Sequence, residues 1–192
     1  MTLPVTPAYS DRMTLPTLGT LQVRTLDERP DLLGVPVRQA LASWPHADGV
    51  GVAEIDPGLA DTASCSEAYD VPLSAGANCV VVSGKRDGEE RVAACLVRAD
   101  TRADVNNLVK RLLDVRKCSF LPMERAVEES GMEHGGITPV GLPPRWRLLV
   151  DARVTTTDLV LIGSGVRRSK LVLPGHLVAE LPGAEVVEEL AR

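Results

Sequence analysis

Residues 79–97 read CVVVSGKRDGEERVAACLV, two apolar runs on either side of a polar loop that contains glycine. The runs Cys79–Ser83 and Arg91–Val97 are of strand length and rich in valine and alanine, and the loop Gly84–Glu90 carries turn residues. The segment therefore predicts a β-hairpin. Because a hairpin joins antiparallel neighbours, it argues against a sheet built only from parallel strands.

Helical and strand patterns alternate outward from this hairpin in both directions. Apolar residues at helical spacing predict helices at 31–44, 62–69, 104–113, 122–130 and 176–181. Short apolar runs predict a strand that ends at Phe120 and further strands at 49–55, 148–150, 159–162 and 170–173. Interleaved helices and strands together with a hairpin predict a mixed α/β fold, a curled and barrel-like mixed β-sheet flanked by helices.

The chain has 192 residues, which is enough for one domain with a sizeable core. Only five residues are aromatic, so we expect a core of Val, Leu, Ile and Ala. Residues 1–20 are rich in Thr and Pro, and the start Met1-Thr-Leu-Pro4 recurs as Met13-Thr-Leu-Pro16. We expect residues 1–20 to be a disordered N-terminal extension and residues 21–192 to form a single domain.

Charge and hydropathy exclude several classes of protein. The net charge of −5 argues against broad binding to nucleic acid, which needs many phosphates to be neutralised. Six basic residues against two acidic ones between positions 145 and 170 suit contact with a few phosphates and equally suit a solvated face. No apolar run approaches the roughly 18 residues of a membrane span, and the first residues lack the features of a signal peptide. We therefore expect a cytoplasmic protein with no membrane partner.

We expect no metal and no cofactor, because the residues that could bind one are not clustered in the sequence. The four cysteines are spaced too widely for a CxxC motif, and the three histidines lie far apart. Cys79 and Cys95 fall within apolar runs, where a free thiol behaves as a small buried hydrophobe. A cysteine hydrolase that pairs Cys118 with His134 is a weaker alternative, because nothing at their spacing marks a nucleophile and its base.

Two segments are rich in glycine. Residues 135–143 read GGITPVGLP, and residues 163–168 read GSGVRR directly after a predicted strand. Because glycine has no Cβ atom, such segments let backbone N–H groups approach a ligand and bind an anion. Each segment taken alone is also compatible with a tight turn.

Together and in this order, these segments resemble the YbaK-type aminoacyl-tRNA deacylases, a family associated with prolyl-tRNA synthetase. Gly135–Pro139 matches the GxxxP loop of the family, and residues 161–173 match its VGAGxRxxxLxL segment. Leu148–Asp151 matches a VLVD segment, and Asp104–Leu108 resembles a DLKKL helix start. The resemblance is strongest over residues 60–190.

The resemblance implies an editing hydrolase that cleaves the ester of mischarged tRNA. Its substrate would be the tRNA acceptor end, and an aminoacyl-tRNA synthetase is a candidate partner. Backbone donors of the glycine-rich loops would stabilise the oxyanion, and a ribose hydroxyl of the terminal adenosine would help to move protons. The resemblance gives as catalytic candidates Asn78, Lys170, Gly136 and Thr138. It gives as substrate-binding candidates Gly135, Ile137, Pro139, Gly163, Ser164, Gly165 and Arg168.

The chain departs from the family pattern at two positions. Asn78 stands where the family has a functional lysine, and Lys170 stands where a carboxylate is often found. Asparagine can donate a hydrogen bond but carries no charge. If both residues face one pocket, the positive charge has moved from one wall to the other; alternatively, Lys170 points to solvent. The leading hypothesis is a deacylase, and the alternative is a module that binds aminoacyl-tRNA ends or aminoacyl-adenosine without hydrolysis.

Overall fold

The computed structural model describes residues 15–192. Its strands are β1 (Val23–Thr25), β2 (Gly51–Glu54), β3 (Ala77–Arg86), β4 (Glu89–Arg98), β5 (Cys118–Phe120), β6 (Arg147–Asp151), β7 (Leu159–Gly163), β8 (Ser169–Pro174) and β9 (Ala184–Val187). Its helices are α1 (Val35–Ser43), α2 (Thr62–Ala68), α3 (Lys110–Leu112), α4 (Met123–Ser130), α5 (Ala152–Thr155) and α6 (Gly175–Val178). A π-helical turn, Val105–Val109, leads directly into α3, and short 3-10 helices lie at Pro30–Leu32, Ala47–Gly49 and Pro57–Leu59.

The predicted hairpin consists of the two longest strands of the fold. β3 and β4 pair antiparallel along their whole length. Asp87 and Gly88 form the connecting turn with φ of 51° and 88°, and positive values at both central residues are what a type I′ hairpin turn requires. The hairpin is confirmed, but its loop is shorter than the predicted Gly84–Glu90, because most of those polar residues extend the strand pairing.

Two sheets make up the fold. One has the strand order β1-β2-β8-β7 and is antiparallel throughout. The other has the order β5-β3-β4-β6-β9, and its β4-β6 and β6-β9 pairs are parallel. The sheets meet at a bridge between Gly76, next to β3, and Leu161 in β7, and we call this junction the seam. The mixed α/β prediction is confirmed, and within residues 15–192 the two sheets do not close into a barrel.

Apolar side chains cover the sheets on several sides. The largest cluster combines strands of both sheets, β2, β7 and β8 with β4 and β6, and adds α1. A second cluster packs the segment 105–115 against β3 and β4 of the five-stranded sheet. A third packs the four-stranded sheet against α2 and the residues that follow it. Both sheets are therefore held by valine, leucine, isoleucine and alanine, as the composition predicts.

Local signals explain where several elements begin and end. The Asp61 carboxylate accepts a hydrogen bond from the Ser64 N–H and caps the start of α2. Gly131 ends α4 in the left-handed conformation, with φ of 67°. The sequence pattern does not predict β1, β9 or α5. Each has only three or four residues, which is too few to show a helical or alternating apolar pattern. The helix predicted at 104–113 begins as a π-helical turn.

The first residues that the structure describes pack against the rest of the fold. Residues 1–14 lie outside the described residues. Leu15 and Leu18 are partly buried against the third cluster, and the Thr20 N–H donates to the Tyr69 carbonyl oxygen at 2.8 Å. Residues 15–20 therefore contribute to the core, and the domain boundary at residue 20 stays a prediction. None of the helices described is long and apolar enough to cross a membrane.

Candidate functional site

The seam brings together chain segments that are distant in the sequence. β3 begins at Ala77, directly after the bridge from Gly76 to β7. Gly163, the last residue of β7, pairs with Lys170 in β8. The Lys170 side chain in turn contacts Ala60, just before α2. The starts of α2 and β3 and the end of β7 therefore share one small region.

The two glycine-rich segments meet there backbone to backbone. The Gly165 N–H donates to the Gly136 carbonyl oxygen at 2.8 Å, and the Glu133 N–H donates to the Gly165 carbonyl oxygen at 3.0 Å. A Cβ atom on Gly163 would lie 2.5 Å from the Gly136 oxygen and 2.7 Å from the Ile137 oxygen. Backbone atoms cannot move aside as a flexible side chain can, so only glycine permits this approach.

A pocket of about 550 Å³ lies beside this backbone contact. The sequence-predicted site residues that line it are Asn78, Gly135, Ile137, Gly163 and Lys170. Apolar side chains complete much of the wall, among them Leu73, Val80, Met123 and Leu161. The pocket thus combines a few polar groups with an apolar surround, which is the usual make-up of a small-molecule site.

Lys170 places a buried ammonium in the wall of the pocket. The residue is only 7% exposed, and its Nζ donates to the Ala60 carbonyl oxygen at 2.8 Å. Burial lowers the pKa of Lys170, while the nearby Cys65 thiol and Asp61 carboxylate act in the opposite direction. The alternative that Lys170 points to solvent is therefore wrong. A buried ammonium is costly to the fold unless it is paired, so this position suggests a role in function.

Asn78 is held in the opposite sheet by a contact from α2. The Thr62 hydroxyl donates to the Asn78 side-chain oxygen. The Asn78 amide nitrogen donates to no acceptor in the described part of the chain. Because the oxygen is engaged and the NH₂ group is not, Asn78 presents a hydrogen-bond donor to the pocket that it lines.

Two backbone donors of the first glycine-rich segment also border the pocket. The N–H groups of Gly135 and Ile137 donate to no acceptor among residues 15–192, whereas the Gly136 N–H donates to the Glu133 carbonyl oxygen at 2.9 Å. Gly135 adopts φ of 81°, in the left-handed region that favours glycine. Such neighbouring N–H groups are able to bind an anion or an oxyanion.

The other residues of the first segment lie outside the pocket lining. Gly136 faces the second segment, where a Cβ atom would meet backbone atoms of Val166 at 2.7 Å. Thr138 is fully buried, and its hydroxyl has no partner in the part of the chain that the structure describes. Pro139 is buried as well. The structure therefore does not bring Gly136, Thr138 or Pro139 into the pocket surface.

The same holds for three residues of the second segment. The Ser164 hydroxyl is buried 2.7 Å from the Ser169 hydroxyl, and Gly165 serves the contact between the segments. The Arg168 guanidinium lies at the surface and forms salt bridges with Asp31 at 3.2 Å and Glu54 at 3.3 Å. None of the three lines the pocket.

The sequence does not identify several residues that line the pocket, namely Ala60, Asp61, Thr62 and Cys65. His134 also lines the pocket, but Cys118, its partner in the alternative of a cysteine hydrolase, does not. The contact of Thr62 with Asn78 depends on how the chain turns between α2 and β3. The Lys170 contact with Ala60 spans 110 residues and leaves no mark in local spacing. The pairing of Gly163 with Lys170, in contrast, is local, because β7 and β8 are joined by a short turn.

A larger depression of about 1020 Å³ lies elsewhere, beside β1 and α1. Its rim is formed by residues of both charges, including Arg24, Asp27, Glu28, Arg38 and Asp48, and by none of the sequence-predicted site residues. Among residues 15–192 no group of three or more His, Cys, Asp or Glu side chains is arranged to hold a metal ion. The pocket at the seam is therefore the candidate site.

Solved structures share this fold. The chain aligns with a protein described as a candidate trans-editing enzyme for prolyl tRNA synthetase at 20% identity and a TM-score of 0.68, which covers 80% of this chain and 93% of that one. A hypothetical protein, APE2540, aligns at 23% identity and a TM-score of 0.64, which covers 73% of this chain and 90% of that one. A scaffold protein used for epitope grafting aligns at 19% identity and a TM-score of 0.69, with coverages of 81% and 95%. At these identities the likeness shows the fold alone.

A family model gives the stronger result. No curated protein matches the sequence significantly. The family model of the aminoacyl-tRNA editing domain, in contrast, matches residues 56–181, which include α2, both glycine-rich segments and the whole pocket lining. The resemblance seen in the sequence motifs is confirmed. The chain belongs to the aminoacyl-tRNA editing domain family, the YbaK-type deacylases.

Proposed function

We propose that this protein hydrolyses the ester bond of a mischarged aminoacyl-tRNA in the pocket at the seam. The observation that carries the proposal is that Asn78, Lys170 and the free N–H groups of Gly135 and Ile137 border one pocket. These groups come from both sheets and from the first glycine-rich segment. A pocket with donors from three parts of the chain and an apolar surround suits a carbonyl group that becomes negatively charged during the reaction.

The reaction needs little covalent chemistry from the protein. A water molecule adds to the ester carbonyl carbon, the carbonyl oxygen becomes an oxyanion, and the intermediate collapses as the bond to the ribose oxygen breaks. The ribose oxygen takes up a proton, and the products are the free amino acid and the tRNA. The protein would orient the ester and stabilise the oxyanion, and the neighbouring ribose hydroxyl would relay the proton.

Lys170 would supply the positive charge of this site in place of the family lysine. An ammonium acts as a point charge with loose directional demands, so it can serve from β8 as well as from β3. Its burial at 7% exposure keeps water from weakening its field. Asn78, oriented by the Thr62 hydroxyl, would hold the substrate carbonyl or a water molecule through its NH₂ group.

The second candidate is a module that binds the aminoacyl-tRNA end or aminoacyl-adenosine without hydrolysis. The observation that favours it is the contact of Lys170 with the Ala60 carbonyl oxygen, which engages one of the three ammonium donors. Together with the neutral Asn78, this contact leaves less positive charge directed at a substrate than a lysine at position 78 would. Such a module would keep the shape of the pocket but would not hydrolyse the ester.

A deacylation screen separates the two candidates. Purified wild-type protein is incubated with a panel of mischarged tRNAs, and amino acid release is followed over time. A Lys170→Met variant, purified in the same way, controls for contaminating deacylases. Release from at least one mischarged tRNA by the wild type alone supports the deacylase. Absence of release from every tRNA, with binding of a non-hydrolysable aminoacyl-adenosine analogue retained, supports the binding module and contradicts the deacylase.

A synthetase partner belongs to the same proposal. One structural neighbour is described as a trans-editing enzyme candidate for prolyl tRNA synthetase, and this chain has the same fold. We propose that the chain edits beside a synthetase. Size-exclusion chromatography with purified prolyl-tRNA synthetase, with and without tRNA, tests this: co-elution is expected, and separate elution under both conditions contradicts it.

A further inference from the structure

An exposed aromatic residue lies along β3 from the pocket. Phe120, the chain's only phenylalanine, is 66% exposed on β5, an edge strand of the five-stranded sheet. It pairs with Val82, two residues along β3 from the pocket-lining Val80. Because side chains of one strand alternate between faces, Asn78, Val80 and Val82 share a face, and Phe120 leans to that same face as the partner of Val82. A ring that is exposed to this extent contributes little to the hydrophobic core.

A basic segment continues beyond Phe120. Residues 110–117 read KRLLDVRK and carry four basic residues against one acidic residue, within a protein whose net charge is −5. Leu113 and Val115 are buried in the second cluster, whereas Arg111, Arg116 and Lys117 are exposed. The apolar residues thus fix the segment to the sheet and leave the basic side chains on the outside.

The basic side chains of this segment are not neutralised by the protein. Within residues 15–192, no salt bridge is formed by Lys110, Arg111, Arg116 or Lys117. The acidic residue among them, Asp114, is engaged instead by Arg86 at 3.0 Å and by Arg91 at 3.1 Å. The segment is therefore a net positive surface.

The basic region expected between positions 145 and 170 differs in this respect. Arg145 is paired with Glu129 at 2.8 Å, and Arg147 is paired with Glu185 at 2.6 Å. Arg153 is paired with Asp151 at 2.9 Å. Arg168 is paired as well, whereas Arg167 and the buried Lys170 donate to backbone carbonyl oxygens. Most charges of this region are thus compensated by carboxylates within the fold, so the unpaired cations of residues 110–117 are the better phosphate ligands.

The order of features along β3 corresponds to the order of groups in a charged tRNA. From Val80 to Gly84, the partner of Cys118, is four residues, or about 13 Å at the rise of a strand. A substrate whose ester lies in the pocket would extend its unpaired 3′ nucleotides past Phe120 and its phosphate-rich stem toward Lys117. Unpaired bases stack on aromatic rings, and phosphates attract lysine and arginine.

We propose that Phe120 and residues 110–117 form the docking surface for the acceptor arm of tRNA, with Phe120 stacking on an unpaired base near the 3′ end and the basic side chains contacting phosphates of the stem. The inference rests on the proposed function for the position of the ester. An acidic protein would also be attracted by the basic segment, and aromatic rings are common in protein interfaces. The order of the features, with the ring next to the pocket and the cations beyond it, is what favours RNA. RNA accounts for both features.

Binding of an RNA hairpin that reproduces the acceptor stem tests the surface without any hydrolysis. Fluorescence anisotropy measures the Kd of uncharged hairpins with and without the unpaired 3′ nucleotides, at several salt concentrations. The double variant Arg116→Glu/Lys117→Glu should raise the Kd by at least about tenfold on both hairpins and lower the slope of log Kd against log salt by about two, because two phosphate contacts are lost. The matched control is Arg24→Glu/Arg38→Glu, which makes the same charge change at two exposed arginines near the other depression.

Variants of Phe120 test the stacking contact on the same two hairpins. Phe120→Ala should raise the Kd by about tenfold on the hairpin with unpaired 3′ nucleotides and leave it unchanged on the hairpin without them. Phe120→Trp keeps an aromatic face and should stay within about twofold of wild type on both. Since Phe120 is exposed, neither change should lower the melting temperature, which is measured for every variant.

The outcomes decide the inference separately from the catalytic proposal. Equal Kd values for wild type, Arg116→Glu/Lys117→Glu and Phe120→Ala overturn it. A wild type that binds neither hairpin at low salt also overturns it and leaves an acidic protein as the partner to test. If the wild type hydrolyses no mischarged tRNA but the variants weaken hairpin binding as described, the docking surface stands and the deacylase proposal fails.

Discussion

The β3 wall and the β8 wall of the pocket present their polar groups in different ways. On the β3 wall, Asn78 is neutral, half-buried and oriented by a hydroxyl from α2. On the β8 wall, Lys170 is charged and almost fully buried, and the one hydrogen-bond partner of its ammonium among residues 15–192 is the Ala60 carbonyl oxygen. A neutral amide costs the fold little to keep at such a place, whereas a buried ammonium costs much more. The positive charge of this site is therefore concentrated on the β8 wall.

Removing the charge from the β8 wall should have the largest effect. Lys170→Met keeps an unbranched side chain of similar volume and removes the ammonium, so kcat/KM on a mischarged tRNA should fall at least about 100-fold. The melting temperature should not fall, because replacing a buried charge by an apolar group of similar volume is often neutral or stabilising. Steady-state deacylation and thermal unfolding check the two parts. An unchanged kcat/KM would remove Lys170 from the mechanism.

Separating the two glycine-rich segments should have the next largest effect. In Gly163→Ala the new methyl group would lie 2.5 Å from the Gly136 oxygen, and the first segment would have to shift away from the pocket. We expect about 2 kcal/mol of lost stability, a fall in melting temperature of about 4–8 °C, and a reduced kcat/KM. Gly58→Ala is the control, since its nearest neighbour is the flexible Asp56 carboxylate at 3.1 Å. Equal melting temperatures for the two variants would contradict the tight contact.

Changes on the β3 wall should be milder and partly reversible. Asn78→Ala removes one neutral donor and should lower kcat/KM by about tenfold, less than Lys170→Met does. Asn78→Lys should be tolerated, since it adds a charge to a pocket that stabilises an oxyanion. The double variant Asn78→Lys/Lys170→Met moves the charge to the β3 wall and should recover part of the lost rate. A double variant no faster than Lys170→Met would show that the walls are not interchangeable.

The smallest effect is expected outside both walls. Arg168→Ala removes two surface salt bridges whose partners, Asp31 and Glu54, are half exposed, and such pairs contribute about 0–1 kcal/mol each. We expect kcat/KM to remain within about twofold of wild type and the melting temperature to change by only a few degrees. A fall of tenfold or more in kcat/KM would return Arg168 to the substrate-binding residues.

The features that the sequence predicts well are those that are determined by residues close together in the chain. The hairpin depends on residues that are close in the sequence, and the structure confirms it. The Asp61 cap and the Gly131 helix end are equally local features of the structure. The family motifs identify both glycine-rich segments, because their close approach demands glycine at Gly136 and Gly163. These features are readable because a local pattern determines each of them.

Features that depend on long-range contacts cannot be predicted from a local sequence pattern. The motif places Ser164 and Arg168 beside Gly163, but both residues lie in the turn between β7 and β8, where their side chains contact other partners. No sequence pattern near Thr62 predicts its contact with Asn78, and the Ala60 carbonyl that accepts from Lys170 lies 110 residues away in the sequence. The pocket lining is a product of how the two sheets meet, which no short segment encodes.

The buried cysteines have a practical consequence for chemical labelling. Burial raises the pKa of all four thiols, and that of Cys95 reaches about 12. A thiol alkylates through its thiolate, so the native cysteines should react slowly with maleimides at neutral pH. A Phe120→Cys variant would carry an exposed and far more reactive thiol. A fluorophore could therefore be attached beside the pocket without first replacing any natural cysteine.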